Sequence, residues 1–283
     1  MDYLLIVCAT LLFALQFFFN QSFQKQMGNS LQTALLFSLY SSVVAAAVLF
    51  VINGLQLSFS WFSLLVALLS AANGILFTYC SIQAFATVNL ANYSVFSMLG
   101  GMLLPFLTGI LFYREEFSIG KLFCCACIIL SVLIGFEKGN RISLKNSLCY
   151  AGVFILNGMS GVLSKIHQSN TAQAVDSESF MIIKFLLTVL ITAVILLMTE
   201  KKLRLIPLRA MLASGGFGIF TGIGNLFLMI ALLTLPASVQ YPIVTGGTMI
   251  FSFFLGLLRR ERLTCKGILS ILFAVLSTVL IIL

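Results

Sequence analysis

Residues 97–131 read SMLGGMLLPFLTGILFYREEFSIGKLFCCACIILS: an apolar span, a tight charged knot, then a second apolar span. The pattern recurs 146 positions later as IVTGGTMIFSFFLGLLRRERLTCKGILSILFAVLS, residues 243–277. Gly100-Gly101 falls on Gly246-Gly247, Leu111 on Leu257, Arg114 on Arg260, Glu115 on Glu261, and Leu130-Ser131 on Leu276-Ser277. A self-match of this length constrains the architecture before any single motif does. In an apolar chain it points to two related halves packed around a shared centre.

Composition says what surrounds those halves. Of 283 residues, 60% are hydrophobic and only 8% charged, with a mean hydropathy of +1.12. Soluble domains carry about 25% charge, so this chain cannot present a water-facing surface and lipid is its main solvent. The net charge of +8 sits in short loops between apolar spans. It is therefore topology information, and no nucleic-acid partner is expected. The seven cysteines, Cys8, Cys80, Cys124, Cys125, Cys127, Cys149 and Cys265, lie within or at the ends of apolar spans. They hold one CxxC spacing, Cys124 to Cys127, with no second pair to match it and no adjacent histidine, so they read as small packing residues, not as a metal or disulfide set. No cofactor is implied. The N-terminus lacks the basic start of a cleavable signal, so the first span is expected to be retained.

Ten apolar spans can be marked, at about residues 3–24, 31–53, 61–85, 89–113, 118–136, 147–166, 178–199, 209–233, 236–258 and 264–283. Each is close to the roughly 20 residues a helix needs to cross a bilayer. In lipid such runs must be helical, because each has to satisfy its own backbone groups. The duplication reaches beyond the opening stretch. Val43 falls on Val189 and Ala47-Val48 on Ala193-Val194 at the same shift; Ala84 falls on Ala231 at 147, and Lys25 on Lys165 at 140. Slips of that kind belong in connecting loops. The expected fold is an all-α membrane protein: ten transmembrane helices in two five-helix units, residues 1–141 and 142–283. An odd number of spans per unit inverts the second copy relative to the first.

Basic residues give the orientation. Loops on one side carry Lys25, Lys138, Arg141, Lys145, Lys201, Lys202, Arg204, Arg209, Arg259, Arg260, Arg262 and Lys266; the other side carries Arg114, Lys121 and Lys165. The richer side belongs in the cytoplasm, which places both termini outside.

Two five-span copies, each with a Gly-Gly span, an acidic knot and a closing apolar span, resemble the drug/metabolite transporter superfamily, closest to its EamA-type members. Tyr113-Arg-Glu-Glu-Phe117 and Arg259-Arg-Glu-Arg-Leu263, Gly267, Pro236-Ala-Ser238, and Lys25 and Lys165 ending the first and sixth spans carry the resemblance. Lys121 departs from it, standing where the second copy has Gly267. The resemblance covers essentially the whole chain. It implies a multi-pass carrier in a bacterial plasma (inner) membrane, a monomer or weak homodimer in the bilayer. Small metabolites would pass through a cavity formed by the first, third, fourth, sixth, eighth and ninth spans. Superfamily substrates range from amino acids and drugs to nucleotide sugars, so no substrate follows from it.

The acids are the most discriminating residues. Asp2, Glu115, Glu116, Glu137, Asp176, Glu178, Glu200 and Glu261 all lie at span ends or in loops. Small multidrug pumps of the same superfamily use a membrane-buried glutamate for proton exchange; here the first span offers Gln16 and Asn20 instead. Proton-coupled export of hydrophobic cations is disfavoured, and neutral, zwitterionic or anionic solutes are favoured. Lys184 is the one charge well inside a span. It reads either as a cavity cation for a carboxylate or phosphate, or as a lysine snorkelling to the headgroups or paired with Glu178 or Asp176.

Neutral polar side chains concentrate in the implied cavity helices. Gln16 and Asn20 share one face of the first span, as do Asn157 and Ser160 in the sixth and Thr221 and Asn225 in the eighth. Asn73 and Tyr79 lie in the third, Asn92, Tyr93 and Ser97 in the fourth, and Gln240, Tyr241 and Thr245 in the ninth. Each could line a cavity or act as interhelical glue. The Gly218/Gly222 pair permits close backbone approach, and Pro105 and Pro242 could kink two cavity helices. The expected activity is secondary transport without ATP: export of amino-acid-like or other neutral or zwitterionic solutes through a central cavity by alternating access. A lipid-carrier translocase and a non-transporting scaffold or sensor stand as alternatives. Catalysis is not expected, since His167 is the only histidine, it sits at a span end, and no acid is buried.

Overall fold

The computed structural model describes residues 2–113, 144–199, 205–259 and 265–282, together with positions 120, 123, 126, 127, 130, 131 and 134. The charged knots at Arg114-Glu115 and Arg260-Glu261 lie outside the described residues, as does most of the fifth span. So do Lys121, Lys138, Arg141, Lys201, Lys202, Arg204 and Arg262, and the side chains of Asn92, Lys145 and Pro242.

The described residues form nine helices and no strand. They are α1 (Asp2–Met27), α2 (Leu31–Ile52), α3 (Trp61–Phe85), α4 (Leu90–Tyr113), α5 (Leu144–Ser169), α6 (Ser177–Thr199), α7 (Leu208–Ala231), α8 (Ala237–Leu258) and α9 (Cys265–Ile282). Helix α5 is thus the sixth apolar span of the sequence. Observed and expected limits differ by no more than a few residues. Seven of these helices are long and apolar enough to cross a bilayer, as an integral membrane protein requires.

Local chemistry sets the boundaries. Ser30 and Ser60 cap α2 and α3, their hydroxyls accepting from the Thr33 and Ser63 N–H groups at 3.1 Å. Asp176 does the same for α6, accepting from Ser179 N–H at 2.8 Å. Pro207 and Pro236 precede α7 and α8, where a missing N–H costs no helical bond. The outer face is apolar: Phe112 and Leu197 are each 78% exposed and Met198 81%. Contiguous exposure of that kind fits a surface solvated by lipid.

The helices pack across the chain's midpoint more than within each half. Helix α1 lies against α7 and α8, while α5 lies against α3 and α4. Helices α2 and α6 pair, as do α4 and α8. Two glycines allow the closest of these approaches. A Cβ on Gly100 would lie 2.0 Å from the Phe154 carbonyl oxygen of α5, and one on Gly218 would lie 2.3 Å from the Ser41 carbonyl oxygen of α2. Of the GxxxG pair, Gly218 therefore makes the close crossing. A Cβ on Gly222 would meet only ordinary contact, 3.5 Å from the Ala45 methyl.

Polar contacts fasten the bundle ends. His167, fully buried, stacks on Phe180 with 3.9 Å between ring centroids, and its Nε2 lies 2.9 Å from Ser63 Oγ. The same hydroxyl accepts from Val175 N–H at 3.0 Å, pinning the loop between α5 and α6. Elsewhere Arg259 closes α8 onto α1. Its guanidinium stacks 3.6 Å above the Phe18 ring and hydrogen-bonds Gln21, Ser22 and the Phe18 carbonyl oxygen. Ser131 and Ser270 exchange hydrogen bonds, each hydroxyl donating to the other's carbonyl oxygen, at 2.7 and 2.8 Å.

Candidate functional site

A cavity of about 130 Å³ lies between the helices. At roughly 10–15 Å³ per water on this measure, it holds on the order of ten waters, or one small solute. Eight helices line it. From α1 come Phe13 and Gln16; from α3, Asn73, Gly74, Phe77 and Thr78; from α4, Met98 and Gly101. Across from these stand Asn157, Ser160, Gly161 and Ser164 of α5, Phe217, Thr221, Asn225 and Leu228 of α7, and Tyr241, Val244 and Thr245 of α8. Helix α2 adds Ser38, Ser41 and Ser42, and α6 adds Lys184, Phe185 and Thr188.

Hydrogen bonds hold the polar wall in place, and several tie together helices distant in the chain. Thr221 donates to Gln16 Oε1 at 2.7 Å, joining α7 to α1. Asn73 donates to the Leu156 carbonyl oxygen at 2.9 Å, joining α3 to α5. Asn157 donates to the Ser97 carbonyl oxygen at 2.6 Å, and Tyr241 to that of Gly161 at 3.2 Å. Thr245 reaches the Met98 carbonyl oxygen at 3.3 Å, and Asn225 donates back to Thr221 O at 2.8 Å. Asn73, Asn157 and Asn225 each spend an N–H on backbone, while Gln16 accepts through its Oε1. For Gln16, Asn73 and Asn157, cavity lining and interhelical glue are one role.

The sequence-derived candidates divide. Gln16, Asn73, Asn157, Ser160, Lys184, Thr221, Asn225, Tyr241 and Thr245 meet at the cavity. Asn20, Tyr79, Tyr93, Ser97 and Gln240 do not line it. Tyr93 is a core residue, stacked 3.9 Å from Phe85, with its hydroxyl 2.6 Å from Ser81 Oγ. Tyr79 packs beside Phe23 and Phe37. Gln240 is fully buried and donates to the Leu228 carbonyl oxygen at 2.6 Å. Asn20 is buried at 1% exposure, one turn beyond Gln16 yet off the cavity. Asn92's side chain lies outside the described residues.

The polar lining residues that sequence reasoning missed are Ser38, Ser41, Ser42 and Thr188, from α2 and α6, which the family resemblance leaves out of the cavity, together with Thr78 and Ser164. Ser38 and Ser42 are four apart, and so are Lys184 and Thr188, so each pair presents one polar stripe on an otherwise apolar helix. That spacing was visible in the sequence. Of Lys184's three possible roles, the cavity position is the one observed. It lines the cavity with its Nζ 5.5 Å from the Phe185 ring centroid, and among the described residues no carboxylate pairs with it. Asp176 is engaged at the start of α6. Burial would raise its carboxyl, but hydrogen bonds from Ser179 and Ser58 outweigh that and hold it below its ordinary value. Among the described residues no group of three or more His, Cys, Asp or Glu side chains is placed to hold a metal.

No family model and no curated protein matches the chain. Among solved structures, 28 chains match. One of them, described only as "Crystal structure of protein", superposes with a TM-score of 0.69 at 16% identity, over 99% of this chain and 95% of that one. A likeness at that identity concerns the fold alone.

Proposed function

We propose that the chain is a secondary transporter that carries small polar solutes through this cavity by alternating access, without ATP. The observation that carries the reading is the cavity itself: a space inside an apolar bundle whose wall carries many polar side chains among apolar ones, built by helices from both ends of the chain. Buried polar groups in a membrane bundle are costly and mark solute or ion pathways. A bundle serving only as scaffold would fill its centre with apolar side chains.

The architecture we infer is that of the ten-helix drug/metabolite transporters, with two inverted five-helix repeats. Its support is the reciprocal packing, α1 on α7 and α8 against α5 on α3 and α4, and the recurrence of residues 97–131 at 243–277. Hydrogen bonds from Thr221 to Gln16 and from Asn73 to Leu156 follow the same exchange of helices. Rocking of one half against the other would open the cavity to either face in turn.

Counterflow in proteoliposomes against a panel of small metabolites, with and without a pH gradient, tests the reading. Exchange of at least one solute is expected, independent of the gradient. No flux of any solute would overturn transport and leave a scaffold. Accumulation driven by the pH gradient alone would require a proton carrier other than a carboxylate, since no described acid lines the cavity.

A further inference from the structure

We infer that the cavity contains an anion subsite, built from the Lys184 ammonium and the free hydroxyls of Ser38 and Ser42, whose ligand is a monoanionic carboxylate with an apolar body. This rests on the transport reading and specifies the solute class for the same cavity.

The subsite has charge, donors and shape. Helix α6 packs on α2, and both present their polar stripes to one space. Ser41 and Thr188 already donate to the carbonyl oxygens of Phe37 and Lys184, at 2.6 and 2.9 Å. Ser38 and Ser42 lie on the same face of α2 and make no side-chain hydrogen bond among the described residues, so their O–H groups remain available at the lining. Lys184 likewise has neither a hydrogen-bond nor an ion-pair partner for its ammonium among those residues. Its described neighbour is the Phe185 ring. Lys184 is half-buried at the lining of a cavity inside an apolar bundle, where an ammonium gains from a counter-charge. No described acid lines the cavity, so the counter-charge is left to the solute.

Net charge then discriminates between solutes. One ammonium balances one negative charge. A zwitterion would leave the closed site with an uncompensated positive charge, and a doubly charged phosphate an uncompensated negative one. The lining also carries the rings of Phe13, Phe77 and Phe217, which suit an apolar body.

The test compares probes of one shape and different charge on the purified full-length chain: 3-phenylpropionate, its neutral amide 3-phenylpropanamide, and zwitterionic phenylalanine, together with acetate, benzoate and inorganic phosphate. Binding is read by the shift in thermal unfolding midpoint and by isothermal titration. The anion should bind about 10-fold or more tighter than the amide or the zwitterion, the worth of a charge-assisted hydrogen bond. Lys184→Met should erase that preference, and Lys184→Arg should keep most of it. Ser38→Ala with Ser42→Ala should weaken the anion while sparing the amide. Equal binding of amide and anion, tighter binding of phenylalanine or phosphate, or an unchanged preference in Lys184→Met overturns the inference. So does failure of every carboxylate from acetate to 3-phenylpropionate to bind. Counterflow of the same probes separates the two claims: neutral or zwitterionic solutes moved equally by wild type and Lys184→Met would sink the anion subsite and leave transport standing.

Discussion

The Thr221 hydroxyl donates a 2.7 Å hydrogen bond to Gln16 Oε1, linking residues 205 positions apart across the wall of the cavity. It joins the first helix of the chain to the third helix of its second half, in a chain whose two ends share no salt bridge among the described residues. Gln16 is buried, so the bond both shapes the lining and satisfies an oxygen that lipid could not.

Thr221→Val keeps the shape but removes the donor. A cost of about 0.6–2 kcal/mol is expected, with reduced counterflow, and Thr221→Ser should recover most of both. Thermal unfolding in detergent and solute exchange in vesicles would check this. Loss of neither would mean that the bond is not used.

The two glycines of the GxxxG pair should separate cleanly. Gly218→Ala would push a methyl to within 2.3 Å of the Ser41 carbonyl oxygen, where backbone cannot yield cheaply. A loss of about 1–3 kcal/mol is expected. Gly222→Ala, whose methyl meets its nearest neighbour at 3.5 Å, should be close to neutral.

Function and stability should also part along the cavity boundary. Asn225→Ala, at the lining, should alter transport with little change in unfolding midpoint. Gln240→Ala, fully buried and bonded to Leu228 O, should lower the midpoint, corresponding to about 1–2 kcal/mol. Finding the reverse would displace the cavity assignment.

His167 is a structural hub on these contacts. Replacing it by alanine removes both the stack on Phe180 and the bond to Ser63, at a cost of about 3 kcal/mol. Phenylalanine at the same position keeps the stack and should cost about 1 kcal/mol. Denaturation of the two variants side by side distinguishes packing from hydrogen bonding.

Asp176 supplies a pH dependence with a defined sign. Its carboxyl is held below its ordinary value of 3.8, burial being outweighed by the Ser179 and Ser58 hydrogen bonds. The stabilisation is therefore complete above that value and is lost as pH falls through the lower, folded-state one. Wild type should unfold at a higher temperature than Asp176→Asn near pH 6, and the gap should narrow on acidification. A gap that persists unchanged at low pH would assign the difference to something other than this carboxylate.

The helices were legible in the sequence because lipid leaves a long apolar run no alternative to satisfying its own backbone. Ser30, Ser60, Pro207 and Pro236 then mark the limits locally. The polar set was legible for a related reason: asparagines and glutamines stand out where every burial needs a partner, and more than half of those named, Gln16 and Asn157 among them, do meet at the cavity. What periodicity could not decide was which polar residues share a space. Asn20 and Gln240 resemble Gln16 and Tyr241 in the one-dimensional pattern, yet a single turn or a neighbouring face sends them into packing. Ser38 and Ser42 show the converse, since their place at the cavity depends on α2 lying against α6, a pairing across some 140 positions that no local propensity encodes. The sequence by itself determined an apolar helical bundle and a short inventory of polar groups within it. Only the tertiary structure decided which of them enclose a cavity, because that depends on helix rotation and on close crossings such as Gly218 against Ser41, contacts that exist only once distant spans have packed.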